Sequence, residues 1–138
     1  MKKALSIGLI FVMVLSFASC AIESKELTET AVYEDFTLVL GESEITDGRI
    51  TIHATYTNAS QDPYYAFSCF AVRAFQNDKA LKDVSDVNGD QAALIKEIKN
   101  GQSLEVTYVF ELEDTSPVEV LVGEPTADMT TIGKRLYD

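Results

Sequence analysis

The stretch SLEVTYVFEL, residues 103–112, decides the fold class because apolar and polar side chains alternate along it. A period of two places successive side chains on opposite faces of a β-strand. The inward face would carry Leu104, Val106, Tyr108, Phe110 and Leu112, and the outward face Glu105, Thr107 and Glu111. The stretch therefore predicts a strand with one face in a core and the other in solvent.

Other short segments rich in β-branched and aromatic residues precede and follow this strand. The segment RITIHATYT, residues 49–57, alternates in the same way, whereas residues 64–76 are apolar on both faces, as expected of a central strand. Further strands are predicted at residues 32–40, near 80–84 and, after Pro117, at 118–122. Residues 91–98 fit either a helical turn or a short edge strand.

Turn residues separate these segments at Asp47-Gly48, Asn77-Asp78 and Asn100-Gly101. Several short strands at this spacing are typical of a sandwich or a barrel. We therefore predict an all-β fold, an immunoglobulin-like antiparallel β-sandwich, with a small barrel as the competing architecture.

The amino terminus has the features of a secretory signal: Lys2 and Lys3, an apolar stretch over residues 4–17, and the small pair Ala18-Ser19 before Cys20. It resembles a bacterial lipoprotein signal, although Phe17 stands where Leu is commonest. The resemblance implies cleavage before Cys20 and a diacylglycerol on its sulfur, with further acylation such as palmitate. The protein would then be extracytoplasmic and lipid-anchored at the cell membrane.

These features predict four consecutive segments. Residues 1–19 would be the lipoprotein signal peptide, and residues 20–31 the lipidated cysteine with a short polar tether. Residues 32–124 would form the β-sandwich, and residues 125–138 a C-terminal tail.

The chain is strongly acidic, and this limits its partners. Loss of Lys2 and Lys3 would lower the 11 basic side chains to nine against 22 acidic ones, and the net charge from −11 to −13. We expect no nucleic-acid partner, because binding to phosphates requires clustered Lys and Arg. Direct binding to anionic lipid is disfavoured for the same reason, so the lipid would hold the protein at the membrane.

Residues with catalytic potential are sparse. His53 lies among threonines on the predicted solvent face, without an evident nucleophile beside it. Cys69 falls in an apolar segment and is expected to act as a small hydrophobe rather than a reactive thiol. Outward carboxylates such as Glu105 and Glu111 are typical of a solvated sheet face. We therefore predict that the protein is not an enzyme, with a hydrolase as the weaker alternative.

The segment DVNGDQAALIKE, residues 86–97, resembles a twelve-residue calcium loop. Its oxygen ligands would be Asp86, Asn88, Asp90 and Glu97. Gln91 replaces the glycine that permits the sharp turn, and Leu94 occupies the ninth position. An ordinary Asp- and Gly-rich loop explains the same residues. No cofactor is expected beyond this possible Ca²⁺ site.

Two aromatic residues, Tyr64 and Tyr65, follow Pro63 at the edge of a loop. Most aromatic side chains of this region should fill the core. A tyrosine at a loop edge could instead stack on a sugar or anchor a protein partner, so Tyr64 and Tyr65 are candidate ligand-binding residues.

Three stretches, TIHATYTNAS, FAVRAFQNDKAL and NGQSLEVTYVFELEDTSPVEV, together resemble a family of immunoglobulin-like domains of unknown function on lipoproteins of Gram-positive bacteria. The matching motifs are the strand-ending pair Thr57-Asn58, a hairpin at residues 75–78 with Asp78 in place of the usual glycine, and the Ser-Pro-Val-Glu-Val segment at residues 116–120. The resemblance implies fold and location, and it transfers no catalytic residue.

These observations predict a lipid-anchored binding or accessory module of the bacterial cell envelope. The expected partners are the membrane, through the lipid, and an envelope protein or a cell-wall glycan. A small-ligand or calcium-binding lipoprotein is the alternative, and the sequence does not separate a binding module from a structural spacer.

Overall fold

The computed structural model describes residues 26–86, 89–90 and 92–138. In this part of the chain the strands are β1 (Thr30–Tyr33), β2 (Phe36–Thr46), β3 (Arg49–Asn58), β4 (Tyr64–Tyr65), β5 (Ala71–Gln76), β6 (Lys79–Ala80), β7 (Lys82–Asp83), β8 (Glu97–Ile98), β9 (Gln102–Glu111), β10 (Val118–Gly123) and β11 (Thr131–Tyr137). A short 3₁₀ helix spans Ala66–Ser68. Among these residues no helix has the length and apolar character needed to cross a membrane.

Two antiparallel sheets pack face to face and confirm the predicted β-sandwich. The larger sheet has the strand order β1-β2-β3-β9-β7, and the smaller has the order β11-β10-β5-β6. A separate pair, β4 with β8, lies outside both sheets. The sequence pattern thus gave the correct fold class.

The inner faces of the two sheets are the alternating apolar positions of their strands. From the larger sheet, the core contains Leu38, Leu40, Ile50, Ile52, Tyr56, Val106 and Phe110. From the smaller sheet, it contains Ala74, Val118, Val120 and Val122. The alternations predicted at residues 49–57 and 103–112 are therefore confirmed, because side chains two apart share one face of a strand.

The predicted central strand at residues 64–76 was wrong, because the chain forms β4, one 3₁₀ turn and β5 there. The turn is closed by a hydrogen bond from the Cys69 amide to the Ala66 carbonyl, with an N–O distance of 3.1 Å. It buries Ala66, Cys69 and Phe70 together. That spacing is helical, so an apolar run with this period cannot be read as a continuous strand.

Both ends of the sandwich differ from the predicted boundaries. The predicted first strand at residues 32–40 is two strands, β1 and β2, separated by a turn in which Glu34 has φ of 51°. The tether predicted for residues 20–31 ends in β1, since Thr30 and Ala31 pair with β2. The predicted tail at residues 125–138 contains β11, which pairs with β10 along its length.

Strand β11 was missed because its inward side chains are not simply apolar. Gly133, Arg135 and Tyr137 alternate along its inner face. The Arg135 guanidinium donates to the Leu40 carbonyl at 2.9 Å, and the Tyr137 hydroxyl donates to the Gly41 carbonyl at 2.9 Å. These hydrogen bonds allow a guanidinium and a phenol to lie on the inner face of a strand, where a search for alternating apolar residues does not expect polar groups.

Both sides of the sandwich are closed. On one side the Lys134 amide donates to the Thr28 carbonyl at 2.8 Å, and a Cβ at Gly133 would lie only 2.8 Å from the Ala31 Cβ. On the other side the chain passes directly from β6 to β7 through Leu81 and so changes sheets. The structure is a sandwich with joined edges, which explains why a small barrel also fitted the sequence.

A buried carboxamide, Gln76, joins two motifs of the family resemblance. Its Nε2 donates to the carbonyls of Asp114 and Ser116 at 3.1 and 2.7 Å, and its Oε1 accepts from the Glu113 amide at 2.8 Å. The hairpin motif at residues 75–78 and the Ser-Pro-Val segment at residues 116–120 therefore meet in space. A glutamine suits this position because it both donates and accepts.

The turn between β5 and β6 places two non-glycine residues in the left-handed region, Asn77 at φ 48° and Asp78 at φ 64°. We expect Asp78→Gly to raise the free energy of unfolding by about 0.5–1 kcal/mol, because glycine adopts positive φ without a steric cost. Urea denaturation would measure the change.

Gly48, in the β2–β3 turn at φ 72° with open space around its Cα, provides the matched comparison. Gly48→Ala should lower the free energy of unfolding by about 1 kcal/mol. A loss of stability in Asp78→Gly would contradict the turn geometry.

Candidate functional site

A small platform of two short strands lies beside the sandwich and positions its apolar surface residues. In this platform β4 pairs with β8, with Tyr64 opposite Ile98 and Tyr65 opposite Glu97. The Phe67 amide donates to the Leu94 carbonyl at 3.4 Å. The 3₁₀ turn after β4 is thereby held next to the segment that precedes β8.

The fully buried side chain of Asn58 ties this platform to the end of β3. Its Nδ2 donates to the carbonyls of Asp62 and Ile98 at 2.9 and 2.6 Å, and its Oδ1 accepts from the Ser60 amide at 2.8 Å. The Asn58 carbonyl also accepts from the Gly101 amide at 2.6 Å. One asparagine thus fixes the loop before β4 against the turn after β8, which gives the Thr57-Asn58 motif a structural role.

A pocket of about 320 Å³ opens between the two sheets next to this platform. Its lining residues are Phe67, Phe70, Val72, Asp83, Leu94, Ile95 and Tyr108. The walls are therefore mostly aromatic and aliphatic, with one carboxylate and one phenol. A largely apolar pocket with a few polar groups is the usual form of a small-ligand site.

Two large apolar side chains at this pocket are exposed to solvent. Phe67 is 57% exposed and Ile95 is 54% exposed. The Tyr65 ring lies beside the Phe67 ring, with a centroid distance of 5.6 Å. We call the aromatic pair Tyr65 and Phe67, together with the neighbouring pocket residue Ile95, the aromatic rim. Contiguous exposed apolar side chains of this kind commonly mark interaction surfaces.

The polar groups of the pocket come from neighbouring strands of the larger sheet. Asp83 in β7 pairs with Phe110 in β9 and so lies on the same inner face. Its Oδ1 accepts from the amide and the hydroxyl of Ser85 at 2.9 and 2.6 Å. Burial raises the pKa of Tyr108, and the negative charge of Asp83 raises it further, so the phenol stays neutral.

The predicted ligand-binding residues Tyr64 and Tyr65 lie in β4 and are 43% and 37% exposed. Tyr64 packs edge-on against Phe36, with a centroid distance of 5.0 Å, whereas Tyr65 contacts the aromatic rim residue Phe67. Their positions are compatible with the predicted role, which stays a prediction.

Sequence reasoning missed Phe67 and Ile95. The apolar pattern of residues 64–76 predicts a central strand that includes Phe67, in which an aromatic side chain is expected to be buried. The helical spacing of the apolar residues Ala66, Cys69 and Phe70 is the signal that could have predicted an outward position for Phe67. No comparable signal identifies Ile95, which belongs to a segment with an ambiguous pattern.

The residues of the predicted calcium loop are placed only in part. The Asp86 amide donates to an Asp90 carboxylate oxygen at 3.2 Å, and Asn88 lies outside the described residues. Glu97 belongs to β8, where it pairs with Tyr65. Within the described ranges no group of three or more His, Cys, Asp or Glu side chains could hold a metal ion. The calcium hypothesis stays a prediction.

His53 lies on the outer face of the larger sheet, as its alternation predicted. Its Nδ1 is 3.2 Å from Oε1 of Glu105 on the adjacent strand β9. Glu42 and Thr55 lie nearby in a shallow surface depression. The pair is an exposed cross-strand contact of opposite charge when His53 is protonated.

The thiol of Cys69 is buried, as predicted. Its Sγ lies 3.4 Å from the Tyr56 hydroxyl and 3.3 Å from the Tyr65 carbonyl. Burial raises the pKa of the Cys69 thiol, which disfavours the reactive thiolate. Cys20, the predicted lipidation site, lies outside the described residues.

The fold and the pocket define a β-sandwich domain with an open apolar site between its sheets. Residues 18–124 match the model of the DUF5067 family, a domain of unknown function. The chain therefore belongs to the DUF5067 family. Among curated proteins, none matches it.

Solved structures share the fold at low sequence identity. A candidate lipoprotein of Staphylococcus aureus is 14% identical with a TM-score of 0.62, and the match covers 82% of this chain and 90% of that one. A β-sandwich protein of Clostridium difficile is 13% identical with a TM-score of 0.52, covering 81% and 90%. A candidate lipoprotein of Bacillus subtilis is 10% identical with a TM-score of 0.53, covering 81% of this chain and 38% of that one.

Substitution of Asn58 tests the structural role of its carboxamide. We expect Asn58→Asp to lower the free energy of unfolding by about 2–3 kcal/mol, because the carboxylate cannot donate to the Asp62 and Ile98 carbonyls. Urea denaturation followed by circular dichroism would measure the loss.

Ser103→Ala is the matched control for this experiment. Ser103 exchanges an exposed hydroxyl contact with Thr57 at 2.7 Å at the same end of the sheet. Its replacement should change the free energy of unfolding by no more than about 0.5 kcal/mol. Equal effects of the two substitutions would contradict a special role for Asn58.

Proposed function

We propose that this protein is a lipid-anchored, extracytoplasmic and non-catalytic binding module of the bacterial cell envelope. In this proposal the lipid on Cys20 fixes the domain to the membrane, and the pocket with its aromatic rim binds a partner. Anchoring would raise the local concentration of the domain near envelope partners. The proposal also includes that the β-sandwich is of the immunoglobulin-like type.

The observation that carries the proposal is the aromatic rim. Phe67 and Ile95 each expose more than half of their surface at the mouth of the pocket. In a chain of net charge −11 that otherwise favours solubility, such exposure is consistent with a contact surface. Phe67 is held there by the backbone hydrogen bond to Leu94 and by the ring of Tyr65.

Two further observations support location at the envelope. The segment before Cys20 resembles a lipoprotein signal, and two structurally similar proteins are candidate lipoproteins of Gram-positive bacteria. The short polar segment that follows Cys20 would leave the sandwich free to reach neighbouring surfaces.

The proposal that the module is non-catalytic is supported by the placement of the candidate groups. Cys69 is buried with a raised pKa, and His53 contacts a carboxylate on an open sheet face. The carboxylate of the pocket, Asp83, contacts Ser85 at the edge of the sheet. A hydrolase would need a nucleophile or a second carboxylate facing the reaction site.

The location is tested by Cys20→Ser in the full chain expressed in a Gram-positive host. We expect the natural chain in the membrane fraction, released only by detergent, because its lipid is buried in the bilayer. The variant should lose the lipid, and it should therefore incorporate no radiolabelled palmitate. Labelling that persists in Cys20→Ser would contradict lipidation at this residue.

The binding surface is tested with a fluorescently labelled chain that begins at residue 21 and retains the whole described core. We expect saturable binding to isolated cell envelopes, and at least a tenfold weaker apparent affinity for Phe67→Ser, since central exposed aromatic residues dominate interfaces.

Leu136→Ser is the control, because Leu136 is 55% exposed on the smaller sheet, outside the lining of this pocket. Its affinity should be unchanged. Equal affinities for the natural chain and Phe67→Ser would remove the aromatic rim from the proposal.

A further inference from the structure

We propose that the edge of β9 beside the pocket binds an extended, basic segment of a partner protein as an additional β-strand. This inference rests on the proposed function of the pocket as a binding site. It adds the class of partner, a polypeptide in which apolar side chains alternate with Lys or Arg. The backbone of that segment would pair with residues 103–107, and one of its apolar side chains would enter the pocket.

Strand β9 has a neighbour along its whole length on one side and along only part of its length on the other. β3 pairs with all of β9, whereas β7 pairs only with Phe110 and Glu111. The Val109 amide next donates to the Ser85 hydroxyl at 2.8 Å, so a side chain ends this short ladder. Among the described strands, none pairs with residues 103–107 at this edge.

The backbone groups at this edge belong to alternate residues of β9. The Leu112 amide donates toward the β3 side at 2.8 Å, whereas the Val109 carbonyl accepts from the chain that continues β7 at 2.9 Å. The N–H and C=O groups of successive residues in an antiparallel ladder point to opposite sides. Ser103, Glu105 and Thr107 therefore direct theirs to the edge, where no described residue forms a backbone hydrogen bond with them.

The described residues between β7 and β8 form local turns rather than a further strand. The amides of Gly89, Ala92 and Lys96 donate to the carbonyls of Asp86, Gly89 and Ala93 at 3.1, 3.1 and 3.3 Å. Their backbone groups are thus bonded within the segment. Unpaired backbone groups at a sheet edge are the template to which an extended peptide adds as a strand.

The pocket of about 320 Å³ opens at the same edge, since both Tyr108 of β9 and Val72 of β5 line it. The even-numbered side chains of β9 point into the sandwich. A strand placed beside residues 103–107 would likewise direct every second side chain inward, because side chains of neighbouring strands share the faces of a sheet. The aromatic rim would then cover the apolar side chain that enters the pocket.

Charge favours a basic segment at this edge. Strand β9 contains two glutamates and no Lys or Arg, and the side chain of Glu105 is 71% exposed. Its contact with His53 lies toward β3, on the side of β9 away from the edge. At the same edge Lys82 of β7 already lies opposite Glu111. A basic side chain opposite Glu105 would form the same kind of cross-strand pair.

The same charges disfavour a second copy of this chain as the occupant. Pairing of two β9 edges would bring two Glu105 side chains to one strand pair, in two chains that each have a net charge of −11. Like charges on neighbouring strands are destabilising, and net charge of one sign keeps chains apart. The proposed occupant is therefore a different, basic protein.

The test titrates three capped heptapeptides into the ¹⁵N-labelled chain that begins at residue 21, at pH 7. The first alternates Lys with Ile, the second alternates Glu with Ile, and the third is the Lys–Ile peptide with its central amides N-methylated. We expect saturable binding of the first peptide alone, because the second has the opposite charge and the third lacks the backbone donors.

Amide hydrogen exchange locates the bound peptide. The amides of Glu105 and Thr107 should exchange at least tenfold more slowly in the complex, because they face the added strand. The amides of Leu104 and Val106 face β3 already and should change by less than about twofold. An alternation of protected and unchanged amides is the pattern that strand addition produces.

Substitution of Glu105 tests the charge preference. Glu105→Lys should weaken binding of the Lys–Ile peptide about fivefold, since it replaces an attraction with a repulsion at an exposed site. Glu44→Lys on β2 is the matched control, because it makes the same change in net charge away from this edge. Its affinity should stay within about twofold of that of the natural chain.

Four outcomes would overturn the inference. Failure of the Lys–Ile peptide to bind, or protection that does not alternate along β9, would exclude strand addition there. Phe67-dependent binding to envelopes that survives protease treatment would identify a glycan, and would leave the proposed function intact. A dimer in sedimentation equilibrium, with the amides of Glu105 and Thr107 protected in the absence of peptide, would identify a second copy as the occupant.

Discussion

The closure of both sides of the sandwich is the constraint on which the rest of the structure depends. On one side β11 approaches β1 so closely that only a residue without a side chain fits opposite Ala31, and Gly133 occupies that position. The Lys134 amide then donates to the Thr28 carbonyl before β1, and the Arg135 guanidinium donates to the Leu40 carbonyl in β2. On the other side the chain changes sheets at Leu81. The two inner faces are thereby held against each other, and their apolar side chains are removed from water.

The pocket lies beside the platform formed by β4 and β8, where no described strand joins the edges of the two sheets. There the space between the sheets is covered by the 3₁₀ turn and by the segment that contains Leu94 and Ile95, rather than by another strand. Asn58 fixes the platform to the end of β3 through three side-chain hydrogen bonds. Gln76 performs a similar task for the loop at residues 113–116, on the other sheet. Two buried carboxamides therefore hold two loop regions in place, and the region held by Asn58 leads into the platform.

The sequence predicts the fold class well because strand alternation is a local signal. β3 and β9 show it clearly, and their pairing brings the predicted inner faces together. The signal fails where burial follows another period, as in the 3₁₀ turn at Ala66, and where inward residues are polar, as with Arg135 in β11. The sequence indicated Tyr64 and Tyr65 as surface aromatics, whereas the exposure of Phe67 and Ile95 at the pocket depends on which segments meet in space. Such contacts between distant residues cannot be read from a local pattern.

The central claim is that the space between the sheets beside the platform is where a ligand binds. Methyl-selective NMR of the chain beginning at residue 21, titrated with the neutral aromatic probe 2-phenylethanol, tests this location most directly. The account predicts that the methyl signals of Val72, Leu94 and Ile95 shift together with one affinity, while those of the exposed residues Ile45 and Leu136 stay in place. Shifts confined to Ile45, Leu136 or other residues away from the pocket would contradict it.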